Sequence, residues 1–367
     1  RRQVAGGVRV LALDEMTGEI LWTHEWPTKY RNLQLSYATG PRATPTVDGD
    51  YVYVAGGAGM LLCLEVETGE VVWQRDTVAK YDTTVPVWGT SSSPLVDGNL
   101  VISVVGGEPD ALVVAFDKSS GDEVWRAIDV VSEMGYAQPV IIQAGGVRQL
   151  IVWHPTAVSS LNPETGEVYW EESWEARSAI TVATPVRSDN YLFFSQFYGG
   201  SLMLRLDNDR PEATQIWRIS GAGEMPDQTE SLHSLITTPI LEGDFIYGVD
   251  SYGELRGLDA MTGTRLWVSD QMTAQRRWGT AFMVRHGDRY FVKIKQDSEA
   301  DFTWENDLTI EYKGHKNDII QKAEAGNINL SLEGMDAVNL GGANSSLFGL
   351  KIVHQLGPVE IQSVIAR

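Results

Sequence analysis

The stretch Leu13-Asp14-Glu15-Met16-Thr17-Gly18-Glu19-Ile20-Leu21-Trp22 decides the fold, because it comes back. It recurs as Leu64-Glu65-Val66-Glu67-Thr68-Gly69-Glu70-Val71-Val72-Trp73, then from Phe116 to Trp125, Leu161 to Trp170 and Leu258 to Trp267, with Gly four residues before Trp each time. A degenerate copy runs from Leu206 to Trp217, two residues longer and without a turn glycine. The six tryptophans are separated by 51, 52, 45, 47 and 50 residues, the period of a propeller blade. Each phrase reads as two antiparallel strands around a tight turn, with Gly free to take positive φ. The large flat Trp is suited to filling the wedge between neighbouring blades.

A second unit alternates with the first: Thr44-Pro45-Thr46-Val47-Asp48-Gly49-Asp50-Tyr51-Val52-Tyr53-Val54, with relatives near Ser93-Pro94, Gln138-Pro139, Thr184-Pro185 and Thr238-Pro239. A last copy without proline runs from Gly279 to Phe291. Asp48-Gly49 and Asp97-Gly98 are strong hairpin signals. Each repeat is thus four strands, A to D. The expected fold is an all-β propeller with five complete four-stranded blades, a C-D half blade at 8–22 and an A-B half at 279–292. The halves either join as one composite blade, hiding both sheet edges, or belong to a larger propeller. The opening Arg1-Arg2-Gln3-Val4, without initiator Met or signal-peptide core, reads as a fragment or processed product.

The phrase Leu-Asp-x-x-Thr-Gly-x-x-x-Trp resembles the repeats of the pyrroloquinoline-quinone (PQQ)-like β-propeller superfamily over residues 1 to about 292. That superfamily holds both quinoprotein alcohol dehydrogenases and the propeller lipoprotein of the outer-membrane-protein assembly machinery, so the fold does not choose a function. The resemblance implies a bacterial periplasmic or cell-envelope setting.

After Phe291 the repeat stops: residues 1–293 hold 11 of 12 Trp and 13 of 14 Pro, and Asn rises from 5 in those positions to 6 in the last 74. The expected domains are 1–292, the propeller, and 293–367, a β-rich extension. In the extension a strand is expected around Phe302 to Tyr312, a short polar helix at Asn317 to Ala325, and a hairpin from Leu350 to Ala366 turning at Gly357-Pro358. The run from Asp318 to Asn327, with Ser346 to Lys351, resembles the outer-membrane translocon of type IX secretion and gliding motility. By that resemblance the chain is a chimera; the alternative is a divergent C-terminal extension.

Composition narrows the function. A net charge of -20 repels phosphate backbones, which argues against nucleic acid. No apolar run approaches a membrane helix, and the single Cys63 excludes an internal disulfide and a Cys-rich zinc site. In a four-stranded blade the D-to-A and B-to-C connections emerge on one edge. Trp88, His233 and Trp278 precede A strands and His154 follows a B strand, so all four mark one face, with Arg276 and Arg277 beside Trp278. These six residues are the candidates for binding a planar or anionic small molecule, or a protein, and His154 and His233 are expected to share a site. The competing reading is that they plug the channel and bond to nearby loops.

No catalytic residue and no metal ligand is assigned. The superfamily resemblance implies PQQ, a calcium ion and an Asp base only for a dehydrogenase, and such enzymes carry a vicinal cysteine pair that one cysteine cannot supply. Asp14, Asp117 and Asp259 share one repeat slot, which points to a turn role. The favoured function is a non-enzymatic binding or assembly scaffold. The alternatives are a quinoprotein alcohol dehydrogenase-like enzyme and an outer-membrane secretion component.

Overall fold

The computed structural model describes residues 6–29, 33, 41–129, 133–270, 277, 281, 283–286, 289–292, 309–313, 320–328, 347–356 and 359–366. The chain divides into two compact units, Arg1–Gly221 with Met261–Gly263, and Ala222–Ala260 with Thr264–Arg367.

Unit 1 begins with a two-stranded sheet, β1 (Gly6–Leu13) and β2 (Ile20–Thr28). Four antiparallel four-stranded blades follow. Blade 1 is β3 (Thr46–Asp48), β4 (Tyr51–Ala55), β5 (Met60–Glu65) and β6 (Val71–Asp76), followed by the short helix α1 (Thr77–Tyr81). Blade 2 is β7 (Leu95–Asp97), β8 (Leu100–Gly107), β9 (Ala111–Asp117) and β10 (Glu123–Ala127). Blade 3 is β11 (Val140–Ala144), β12 (Val147–His154), β13 (Ala157–Leu161) and β14 (Val168–Ser173). Blade 4 is β15 (Val186–Ser188), β16 (Tyr191–Gln196), β17 (Gly200–Leu206) and β18 (Ala213–Ile219). Unit 2 holds blade 5, built from β19 (Ile240–Glu242), β20 (Phe245–Val249), β21 (Leu255–Asp259) and β22 (Arg265–Ser269). It also holds the hairpin β23 (Met283–His286) and β24 (Arg289–Val292). The five full blades and two half blades expected from the repeat are therefore present.

The repeated phrase acts through one irregularity. In every copy the C–D register slips by one residue, so that the residue before the Trp, Leu21, Val72, Val124, Tyr169, Ile216 or Leu266, has no partner opposite. Such a bulge bends and twists the outer strand. In unit 1 the Trp then reaches the next repeat. The Trp22, Trp73 and Trp125 indoles donate to the carbonyls of Val66 (2.7 Å), Lys118 (3.0 Å) and Pro163 (3.2 Å), one position in three successive repeats. Their rings lie over the following turn glycine: a Cβ on Gly69, Gly121 or Gly166 would come within 2.5 to 2.6 Å of the ring. Gly121 also sits at φ +70, so both its shape and its backbone require glycine.

Where the repeat degenerates, the dock changes. The turn Asp207–Glu212 has no glycine, and Trp170 donates instead to Gln149 Oε1 (2.9 Å) in its own blade. Gln149 is fully buried, accepting also from Ser160 Oγ (2.6 Å) and donating to the Ala144 carbonyl (2.9 Å). Apolar clusters fill the spaces between successive blades of unit 1, for instance Tyr53, Leu61, Cys63 and Trp73 with Val101, Val114 and Phe116. Trp153 stacks on Trp174 (5.4 Å, 7°) with Phe194 edge-on, closing blade 3 on blade 4.

The C-terminal segment forms a further four-stranded antiparallel sheet in unit 2: β25 (Thr309–Lys313), β26 (Ile320–Ile328), β27 (Leu347–Leu356) and β28 (Val359–Ala366). The hairpin expected from 350 to 366 is β27–β28, in register Leu356 with Val359. The helix expected at 317–325 is corrected: residues 320–328 are a strand paired on both sides, to β25 and β27. Gln, Lys, Ala and Glu favour helix in isolation, but two flanking strands override so weak a preference, and Gly326 does not support a helix.

Candidate functional site

The hydrogen bonds between connections sort each blade into two edges. On one, Thr90 donates to Gly57 O (3.0 Å), Trp174 to Thr156 O (3.0 Å) and Ala176 to Pro155 O (2.7 Å), tying the D-to-A loops to the B-to-C turns. On the other, Val66 donates to Asp50 O (2.9 Å) and Lys118 to Asn99 O (2.9 Å), tying C-to-D turns to A-to-B turns. The first edge carries the long connections and is the candidate site. Rigid blades presenting long loops are a common binding arrangement.

In unit 1, Trp88 is half-buried in the loop before β7; its carbonyl accepts from the Arg42 guanidinium, which lies 5.8 Å from the indole centroid. Tyr136, in the loop before β11, is buried. Its phenol is held above the usual range first by burial and then by Glu133, against the pull of the Trp88 backbone and Arg42. The loops are also stitched along the sequence: Thr44 N donates to Ser93 Oγ (2.9 Å), and Ser93 N to Gln138 Oε1 (2.7 Å).

His154, at the end of β12, is completely buried. Its Nε2 is 2.9 Å from Ser159 Oγ and its Nδ1 3.1 Å from Thr156 Oγ1. Ser159 Oγ donates to Glu171 Oε2 (3.0 Å), so it accepts from His154 and the imidazole carries its proton on Nε2. Burial pulls the His154 pKa down to about 4, leaving it neutral at pH 7. The order is carboxylate, hydroxyl, imidazole: the acid bonds the serine and the histidine faces it with a proton. That arrangement holds a turn and does not activate a nucleophile.

In unit 2, His233 is completely buried in the segment before β19. Arg277 is exposed and pairs with Glu224 (2.9 Å), whose other oxygen accepts from Tyr252 OH (3.0 Å). Arg276 and Trp278 lie outside the described residues. His154 thus belongs to unit 1, and His233 and Arg277 to unit 2.

The residue that the sequence reading passed over is Arg256, the largest fully buried side chain among the described residues. It sits two residues before Leu258, where the other full blades carry Leu62, Val114, Ser159 and Leu204. Aligning the copies on that apolar residue exposes the two polar intruders, Ser159 and Arg256. Arg256 pairs with Glu254 (2.6 Å) and Asp250 (3.1 Å). Burial holds the Asp250 carboxyl above its usual range, with Arg256 opposing.

The repeat-slot acids do turn work. Asp14 Oδ1 accepts from Met16 N, Thr17 N and Thr17 Oγ1 at 2.8 to 3.0 Å, and Asp117 Oδ1 from Ser119 N, Ser119 Oγ and Ser120 N at 2.6 to 3.0 Å; these bonds lower both pKa values. Cys63 is buried, its thiol pushed up to about 11 by burial, and among the described residues no three His, Cys, Asp or Glu side chains gather as metal ligands. Also among the described residues, no helix is long and apolar enough to cross a membrane.

The family model described as outer membrane protein assembly factor BamB matches residues 6–269. The BamB of Yersinia pestis is 24% identical over 305 residues, covering 77% of this chain and 71% of that protein. Quinohemoprotein alcohol dehydrogenase ADH IIB of Pseudomonas putida is 27% identical over 145 residues, but this spans only 38% of the chain and 21% of that enzyme. Among solved structures, BamB from Moraxella catarrhalis has the same fold, with a TM-score of 0.56 at 16% identity over 96% of each chain. Matched across β1 to β22 by one family model, the chain belongs to the outer membrane protein assembly factor BamB family.

Proposed function

We propose that this chain is a non-enzymatic β-propeller scaffold that takes part in outer-membrane-protein assembly in the bacterial envelope, binding a protein partner through the edge of its blades that carries the D-to-A and B-to-C connections. The observation that carries this reading is the family match over residues 6–269. The chemistry agrees: His154 and Arg256 are spent on internal hydrogen bonds, and the exposed Val87 and Ile236 lie in D-to-A loops. Trp88, His233 and Arg277 lie in D-to-A connections, and His154 ends the strand before a B-to-C turn. The test is replacement: in cells lacking their own BamB, this chain, exported to the periplasm, restores outer-membrane protein levels. A folded, exported chain that restores nothing overturns the proposal.

The oxidoreductase reading has the partial quinohemoprotein likeness behind it. Incubation with PQQ and calcium is expected to give no dye-linked alcohol oxidation; turnover would revive that reading.

We read the C-terminal segment as one more sheet of the same protein. It is an antiparallel four-stranded meander in sequential order, as the blades are, and the likeness to the Moraxella catarrhalis fold spans 96% of this chain. The translocon reading rests on the resemblance of residues 318–327 and 346–351 alone. Limited proteolysis discriminates: the junction at about 291–301 resists cleavage if the sheet belongs to the fold, and rapid loss of the tail would favour an appendage.

A further inference from the structure

We infer that Arg256 is the positioning residue of the connection that precedes β19, setting the path of residues 222–231 from beneath. This rests on the reading that the loop-bearing edge is the binding edge, since that connection forms part of it. The guanidinium uses all five of its N–H donors. Nε and Nη2 donate to Glu254 Oε2 (3.0 and 2.6 Å), Nη1 to Thr229 Oγ1 (2.8 Å) and the Ser231 carbonyl (2.7 Å), and Nη2 to the Pro226 carbonyl (3.1 Å), with the Thr229 carbonyl at 3.3 Å. Three carbonyls and a hydroxyl of one loop thus converge on one side chain. Glu254 and Asp250, in the β20–β21 turn, balance its charge.

The rest of the loop shows why this matters. From residue 232 onward it has its own anchors: Leu232 is buried, so close to Gly248 that a Cβ there would come within 2.2 Å of it, and Ser234 Oγ donates to the Val249 carbonyl (2.8 Å). Residues 222–231 contain no buried apolar side chain. Their two buried residues, Thr229 and Ser231, both bond Arg256, as does the half-buried Pro226, while Met225, Asp227, Gln228 and Glu230 face solvent. A loop normally held by apolar burial is held here by a planar fork that matches several acceptors at once, which a lysine ammonium cannot reproduce.

Amide hydrogen exchange by mass spectrometry on the full chain tests this without a partner. In Arg256→Met, exchange across 222–231 is expected to rise at least about tenfold while β3–β18 are unchanged, and Arg256→Lys is expected to restore part of the protection. Because Arg256→Met strands the buried Asp250 and the half-buried Glu254 carboxylates, the triple variant R256M/D250N/E254Q is run beside it. It is expected to remain folded with the same loosened loop. Protection of 222–231 unchanged in both variants would overturn the inference. So would a rise spread equally over β3–β18, which would make Arg256 a general stability element. Failure of the wild-type chain to bind a partner would strike the functional reading and leave this one standing.

Discussion

The interface between blades 1 and 2 and the interior of blade 5 solve the same problem with opposite chemistry. Between blades 1 and 2, Trp73 lies on Gly121 and donates to Lys118 O, beside an apolar cluster that includes Cys63 and Phe116. In blade 5 the corresponding Trp267 is 42% exposed, and a buried ion cluster around Arg256 organises the adjoining loop. The difference separates two layers of information. Repeated Trp and Gly build generic blades, and polar residues that break the repeat give one blade its own loop.

The comparison can be broken first at the tryptophans. Trp73→Ala is expected to cost about 3–5 kcal/mol by chemical denaturation, the range for a buried aromatic, whereas Trp267→Ala is expected to cost about 1 kcal/mol. Equal losses would deny that docking on the next turn is what matters. Next come the glycines. Gly121→Ala combines a left-handed φ with a collision against the Trp73 ring, for about 2–4 kcal/mol. Gly98→Ala, at φ +57 with nothing within 4 Å of its Cβ, meets only the backbone cost of about 1–2 kcal/mol. A Gly121 penalty no larger than that of Gly98 would remove the ring contact from the account.

Acid then probes the buried imidazole of blade 3. With its folded-state pKa lowered to about 4, His154 contributes stability that is present above its unfolded value of 6.5 and is lost as pH falls toward 4. The full contribution is at most about 3 kcal/mol. A pH series on the wild type and His154→Gln should show this slope only in the former. The smallest effect belongs to Asp250. A carboxyl whose folded pKa is raised adds stability at acid pH and loses it as pH rises through the raised value. Asp250→Asn keeps an acceptor for Tyr252 N, bonded at 2.9 Å, and leaves Glu254 opposite Arg256. Its stability at pH 7 should therefore be unchanged or higher by less than about 1 kcal/mol. A loss of several kcal/mol would show that the Asp250–Arg256 pair is net stabilising.

Most of the fold was legible because the repeat states it six times: Leu13 to Trp22 and its copies specify a strand, a turn and an interblade wedge in ten residues. The turn role of Asp14 and Asp117 could be read from their shared slot for the same reason. Legibility failed where local signals were weak or singular. Residues 320–325 look helical alone and become strand only through β25 and β27. Gln149 and Arg256 occur once each, so no periodicity announces them; their meaning lies in what they touch across 21 to 30 residues of chain. The sequence marks His154 as a binding candidate from its position after a B strand, whereas the buried imidazole bonds Ser159 of β13, itself bonded to Glu171 of β14, and neither shares a motif with it.

The most direct test of the scaffold account is site-specific photocrosslinking in the envelope of a bacterium with an outer membrane. One pair of exposed positions, Val87 and Ile236, lies in D-to-A loops, and the other, Val66 and Met261, in C-to-D turns. The account predicts adducts with an outer-membrane assembly protein from Val87 and Ile236 and none from Val66 and Met261. Adducts from the second pair instead, or equally from both, would contradict it.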